Sequence, residues 1–232
     1  MTNDHTIEIE GHRHVSFHLD RLEPAEMAAK SDAFYQWLDT RRSVREFTSE
    51  PVAKSVIENI IKSASTAPSG AHKQPWTFCA ISDPVLKKQI RIAAEAEEKE
   101  SYESRMSERW KDDLKPMATN MYKPFLEEAP WLIIVCKRAF ELDVDGKKHN
   151  NYYVNESVGI ACGMLITAIH NAGLVTLTHT PSPMNFLTNI LERPKNERAY
   201  LLLPVGYPKQ PVYVPDLDRK GLDEMAVFYE GE

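Results

Sequence analysis

A chain of 232 residues with 28 Lys+Arg against 34 Asp+Glu carries a formal charge of −6, which leaves no basic surplus for phosphates and excludes generic nucleic-acid binding. Its 42% hydrophobic and 27% charged residues belong to an ordinary globular protein, long enough to bury a core. Three cysteines, Cys79, Cys136 and Cys162, sit in or beside apolar runs and read as reduced core thiols of a cytoplasmic protein, not as a disulfide frame or a metal site.

The first thirty residues hold His5, His12, His14 and His18 and few core-like runs. Residues 1–30 are expected to form a surface arm that wraps a neighbour. The histidine spacing matches no familiar ligand set, so no metal is expected. No apolar signal-peptide run opens the chain. The longest apolar stretch, Val158 to Ile169, falls short of the roughly 20 residues of a membrane span. A soluble protein with no membrane partner is expected.

A single domain should occupy 31–232. Ser31 is placed to cap a short helix carrying Phe34, Trp37 and Leu38 and ending near Thr40. A second helix should open at Pro51, with Val52, Val56, Ile57, Ile60 and Ile61 at helical spacing. Turn residues fill Thr66 to Pro75, then Trp76 to Ile81 reads as a strand closed by Ser82-Asp83-Pro84. A charged helix should run from Val85 past Tyr102, with a break before Met106, and Trp131 to Cys136 reads as a buried strand. Asn155 to Ala172 is a helix apolar nearly all round, hence expected to be buried on every side. Two strands follow at Leu174–Thr178 and Tyr200–Val205. The tail from about 207 to 232, with Pro208, Pro211 and Pro215, should be extended. Helices interleave with strands throughout, which makes the fold class α+β of α/β type.

Four groups of residues have chemical potential, and each has a plain structural reading beside it. Arg41-Arg42-Ser43-Val44-Arg45 suits phosphate oxygens, yet a solvated basic loop gives the same pattern. The Pro68-Ser69-Gly70-Ala71-His72 loop lets backbone N–H groups approach a ligand, as many ordinary loops do. Glu98 and Tyr102, four apart on a helix, with Lys123 beyond, could hold a zwitterion; a charged surface explains them equally. Thr176, Thr178 and Thr180 alternate at a strand end, where α/β sites gather, but threonine is also a normal strand residue. Glycine-rich nucleotide fingerprints, HExxH and GxSxG are all missing, which removes common zinc-protease and serine-hydrolase readings.

Taken in order, RRSVR (41–45), TAPSGAHKQPW (66–76), the Glu98…Tyr102…Arg109-Trp110…Asp113-Leu114-Lys115 stretch, Thr119-Asn120 with Lys123, SVGIACG (157–163), NAGLVT (171–176), LLPVGYP (202–208) and VPDLDRK (214–220) resemble the FMN-dependent nitroreductase superfamily. Within it they look most like the iodotyrosine deiodinase branch, in a soluble, bacterial form without the membrane anchor of the vertebrate members. The resemblance implies a nitroreductase-like fold: a central mixed β-sheet flanked by helices, in a domain-swapped homodimer with an extended C-terminal tail. It implies that Arg41, Arg42, Ser43, Arg45 and Arg219 hold FMN at its phosphate and ring edge. Ser69, Thr178, His179 and Thr180 are further flavin contacts, with Thr180 or Thr178 reaching the reactive N5.

The substrate would be a halotyrosine. Its ammonium goes to Glu98, its carboxylate to Lys123, a further hydrogen bond to Tyr102 and its phenolate to the Ala71 N–H. Residues from about 95 to 123 would form a lid that orders on binding. Reduced FMN would act in one-electron steps through a semiquinone, releasing iodide, and bromide or chloride from the matching substrates. NADPH would feed it through a reductase or a small electron-transfer protein. Rivals of the same superfamily are a general NAD(P)H nitroreductase or quinone reductase and a flavin-cleaving enzyme. A non-catalytic FMN- or halotyrosine-binding protein is the rival from another class.

Overall fold

Glu10 and Gly11 both take positive φ, 51° and 78°, the geometry a two-residue hairpin turn needs. They join β1 (Thr6–Ile9) to β2 (His12–Val15), paired from Thr6↔Val15 to Ile9↔His12. In this computed structural model residues 6–231 are described, and His5 lies outside them. The chain divides into two compact units, one ending at Arg41 and one beginning at Arg42.

The first unit adds α1 (Pro24–Asp39) to the hairpin. This helix starts well before Ser31, whose hydroxyl lies within it and donates to the Ala28 carbonyl at 2.9 Å. The early turns, Pro24-Ala25-Glu26-Met27-Ala28-Ala29, are good helix formers with Pro in the first turn. They bury nothing, so no apolar stripe announces them. The expected end at Thr40 holds.

In the second unit, α2 (Lys54–Ser65) begins after Ala53 and not at Pro51. Val52 is buried and its carbonyl accepts the Trp131 indole N–H at 2.9 Å, which keeps Pro51 to Ala53 out of the helix. Next come β3 (Trp76–Ile81), α3 (Pro84–Glu100), α4 (Glu108–Leu114), α5 (Phe125–Glu128) and β4 (Trp131–Arg138). The Asp83 carboxylate caps α3, accepting from Val85 N at 2.7 Å. After the hairpin β5 (Phe140–Leu142) and β6 (Lys148–Asn150), the chain forms α6 (Val154–Asn171), β7 (Val175–Thr176), α7 (Asn185–Ile190), β8 (Glu197–Gly206) and α8 (Leu222–Met225). The tail is otherwise extended.

The main sheet has the order β3-β4-β8-β7 and all its strand pairs are antiparallel. The expected mixed sheet is therefore corrected. Among the described residues the one parallel pairing is a single bridge, Ser43 to Thr176, too short to count as a strand. Alternation along β4 sends Ile133 and Val135 into one core with α2 and α6, and Leu132, Ile134 and Cys136 into another with α3, α5 and α7. A strand buried on both faces reads as a continuous apolar run, which is why Trp131 to Cys136 was legible.

Helix α6 lays Val158, Ala161, Cys162, Leu165 and Ile169 against the first core. Leu165 is wholly buried, so Leu165→Ala would cost about 2–5 kcal/mol. The helix is not covered on every side within this chain, since Ile160 is 47% exposed. Among the described residues no helix is long and apolar enough to cross a membrane.

Candidate active site

Beyond β7 the chain touches β8 once more, where His179 N donates to the Leu202 carbonyl at 2.9 Å and Leu202 N to the His179 carbonyl at 3.1 Å. In such an exchanged pair the flanking residues turn their amides away from the partner strand. Side chains alternate accordingly: His179 is buried while Thr178 and Thr180 are exposed. All three border a cavity of about 230 Å³. Arg45 reaches the same cavity because Val44 and Phe47 on either side are buried, and Val44 N donates to the Thr176 carbonyl at 3.2 Å.

The remaining wall comes from residues 98–125. After α3 the chain makes one wide π turn, Ser101–Arg105, then goes extended at Met106. Helix α4 follows, with the Ser107 hydroxyl accepting from Trp110 N at 3.2 Å. A short 3₁₀ turn, Lys115–Met117, ends at Ala118 with φ 48°. This path returns Lys123 to α3. Arg91 bonds both Glu95 (2.7 Å) and Glu127 (2.6 Å), and the other Glu95 oxygen accepts the Lys123 amide at 2.8 Å, which fixes the backbone there.

The Lys123 ammonium lies 3.3 Å from the Glu98 carboxylate, with side chains only 5% and 12% exposed. It also donates to the Thr119 hydroxyl at 3.2 Å and to the Asn120 carbonyl. The Tyr102 hydroxyl donates to the Thr119 carbonyl at 3.3 Å. Thus Arg45, Glu98, Tyr102, Lys123, Thr178, His179 and Thr180, far apart in sequence, share one cavity.

Burial governs the electrostatics. It pushes the Lys123 ammonium below its ordinary value, opposed by Glu98 and reinforced by Arg45. Burial also lowers the Arg45 guanidinium and, with the Glu98 charge, raises the Tyr102 phenol. His179 is pushed down to about 3 by burial and then by the Lys123 and Arg45 charges, so its ring is neutral at physiological pH. That ring packs edge-on to Phe125 at 5.7 Å. Its Nδ1 lies 3.9 Å from Glu98, too far for a hydrogen bond, and its buried Nε2 has no partner.

The Ser69–His72 loop is built separately. Ala71, His72 and Gln74 all have positive φ (47°, 54° and 46°), a strain of order 1 kcal/mol each. The Ser69 hydroxyl accepts from Gln74 N at 2.9 Å. Gly70 N donates to the Ser157 hydroxyl at 3.4 Å, and a side chain at Gly70 would meet the Tyr152 carbonyl at 3.1 Å. Ala71 is exposed. Neither Ser69 nor Ala71 borders the cavity, nor do Arg42, Ser43 and Arg219, while Arg41 belongs to the first unit.

Thr119 organises both Tyr102 and Lys123; in the sequence its signal is the Thr119-Asn120 pair of the resemblance, which assigns it no role. Trp110, which also borders the cavity, carries a signal only as part of the resemblance, and Met106, on the same wall, carries none. Chemically the arrangement offers an anion, a cation and a phenol in one recess, with threonine hydroxyls and a guanidinium beside them. That donor set suits a zwitterion next to a polar, acceptor-rich ring.

Residues 38–207 match the nitroreductase family. An iodotyrosine deiodinase from Haliscomenobacter hydrossis is 59% identical over 90% of this chain and 94% of its own length. Iodotyrosine deiodinase 1 from Homo sapiens is 46% identical over 92% of this chain and 74% of its own. Among solved structures, oxidized iodotyrosine deiodinase bound to FMN and 3-iodo-L-tyrosine is similar with a TM-score of 0.74 and 32% identity, covering 85% of this chain and 99% of that one.

Proposed function

Because the chain belongs to the nitroreductase family and, within it, to the iodotyrosine deiodinases, we propose that it is an FMN-dependent enzyme that removes iodide from 3-iodotyrosine and 3,5-diiodotyrosine. Bromide and chloride are removed from the corresponding tyrosines. The observation that carries this reading is the buried meeting of Glu98, Lys123 and Tyr102 in the cavity that Thr178, Thr180 and Arg45 also border.

The residues present fit FMN. Arg45 brings a guanidinium, and Thr178 and Thr180 bring hydroxyls and outward amides, which match phosphate and ring acceptors. Arg42, Ser43, Ser69 and Arg219 complete the cofactor contacts in this reading. His179, its backbone engaged by Leu202, is left to contribute through its imidazole. Each C–I bond broken takes up two electrons and one proton, giving C–H and iodide; FMN, when bound and reduced, supplies the electrons.

The protein's own part is recognition and exclusion of water. Glu98 takes the substrate ammonium, Lys123 its carboxylate and Tyr102 a further hydrogen bond, so the Glu98–Lys123 pair opens to admit a zwitterion of matching charge. The Ala71 N–H takes the phenolate. Residues from about 95 to 123 act as the lid over it.

We assign a domain-swapped homodimer, supported by the outward Ile160 of α6 (47% exposed) and the exposed tail residues Phe228 and Tyr229 (69% and 95%). NADPH is the electron source, through a reductase or a small electron-transfer protein. Three free cysteines support a cytoplasmic location. The test is anaerobic: dithionite-reduced protein is mixed with 3-iodotyrosine and iodide is counted. One iodide per reduced flavin is expected. Nitroarene reduction without iodide release would make the chain a general nitroreductase.

A further inference from the structure

We infer that Arg105 is a positioning residue that latches the substrate lid onto the loop carrying Thr178 and Thr180. One guanidinium nitrogen, Nη1, donates both to the Glu97 carboxylate at 2.9 Å and to the Ser182 carbonyl at 2.8 Å. Glu97 precedes the clamp residue Glu98 on α3, and Ser182 follows Thr180 by two residues. The side-chain bonds of the clamp residues stay within the lid: Tyr102 to Thr119, Lys123 to Thr119, Lys123 to Glu98. Among the described residues, the Arg105–Ser182 bond is the one hydrogen bond between residues 95–123 and 178–182. The other close approach, His179 to Glu98, stands at 3.9 Å.

The π turn is what aims Arg105. An unbroken α-helix turns about 100° per residue, which would leave Arg105 about 80° away from Glu97. The wide turn, closed by Met106 N donating to the Ser101 carbonyl at 2.9 Å, takes up that excess and puts Arg105 over Glu97. An arginine suits the task, because a charge-assisted bond to a carbonyl is stronger than a neutral one. The lid thereby places Glu98, Tyr102 and Lys123 at a set distance from the cofactor side of the cavity.

This inference rests on residues 95–123 being the substrate lid, and the test separates the two. Dissociation constants of 3-iodotyrosine and of 2-iodophenol, which lacks the zwitterion, are measured on FMN-loaded parent, Arg105→Ala and Arg105→Lys. Amide hydrogen exchange is followed across the lid in the same proteins. Arg105→Ala should weaken 3-iodotyrosine about tenfold and speed lid exchange, with kcat at saturation within about twofold of the parent. Binding of 2-iodophenol should be unchanged, and Arg105→Lys should recover part of the loss. Unchanged 3-iodotyrosine affinity and exchange in Arg105→Ala would overturn the latch, as would equal weakening of both ligands. A parent that fails to bind 3-iodotyrosine sinks the proposed function, and the exchange comparison then decides the latch alone.

Discussion

Lys123 and Glu98 form a direct ion pair at 3.3 Å in a recess that leaves their side chains 5% and 12% exposed. Removing one charge from such a pair leaves the other buried and unmatched. Glu98→Gln should therefore weaken 3-iodotyrosine binding by about 2–4 kcal/mol and leave FMN binding unaltered. Lys123, already pushed down by burial, loses the carboxylate that opposes that push. Titration calorimetry on the flavin-loaded protein decides; wild-type affinity in Glu98→Gln would refute the clamp.

Tyr102→Phe isolates a smaller contribution. The hydroxyl donates to the Thr119 carbonyl at 3.3 Å and ties the π turn to the residues before Lys123. Its loss should cost about 1 kcal/mol, seen as roughly fivefold weaker 3-iodotyrosine binding with flavin retained.

His179 predicts an acid sensitivity with a defined sign. The folded protein keeps the ring neutral down to about 3, against an ordinary value of 6.5. Between those values the unfolded chain binds the extra proton, so stability is full above pH 6.5 and falls as pH drops towards 3. Going from pH 7 to pH 5 should remove about 2 kcal/mol through this group. Urea unfolding of parent and His179→Gln at both pH values should show a smaller drop in the variant. An equal drop would place the acid sensitivity elsewhere.

Gly70→Ala probes the second loop. A Cβ there would stand 3.0 Å from the Tyr153 ring and 3.1 Å from the Tyr152 carbonyl, and a backbone atom yields poorly. The loop must shift, at a cost of about 1–3 kcal/mol, and it carries the Ala71 amide with it. Weaker 3-iodotyrosine binding should accompany the lower urea midpoint. A drop in stability with unchanged affinity would detach Ala71 from the substrate.

Which features were legible in the sequence follows from where the signal is local. Strand β3 could be bounded at both ends because Pro75 and Ser82-Asp83-Pro84 punctuate an apolar run, and β4 because both its faces are buried. The spacing of Glu98, Tyr102 and Lys123 allows a zwitterion clamp, but only the resemblance favours it over a charged surface, since a buried clamp and a solvated charge run share one composition. The start of helix α1 has no signal in the sequence because none of its residues is buried. Strand β7 is shorter than its apolar run suggests, since Leu177 onward leaves the ladder except at His179. Arg105 was invisible because its partner Ser182 lies 77 residues away and its direction depends on a π turn that no residue pattern announces.

The pairing of His179 with Leu202 also determines where the chain can change length. Along residues 178–180 the two threonines stay exposed and the histidine stays buried only while the count from β7 is kept. Deleting a single residue between Gly173 and Leu177 would invert the pattern, sending both threonines inward and the histidine out. The Asp143–Lys147 turn has no such coupling, since it caps an exposed hairpin whose tip residue Val144 is fully solvated. Insertions and deletions should therefore be tolerated at that turn and selected against in the five residues that lead into the site.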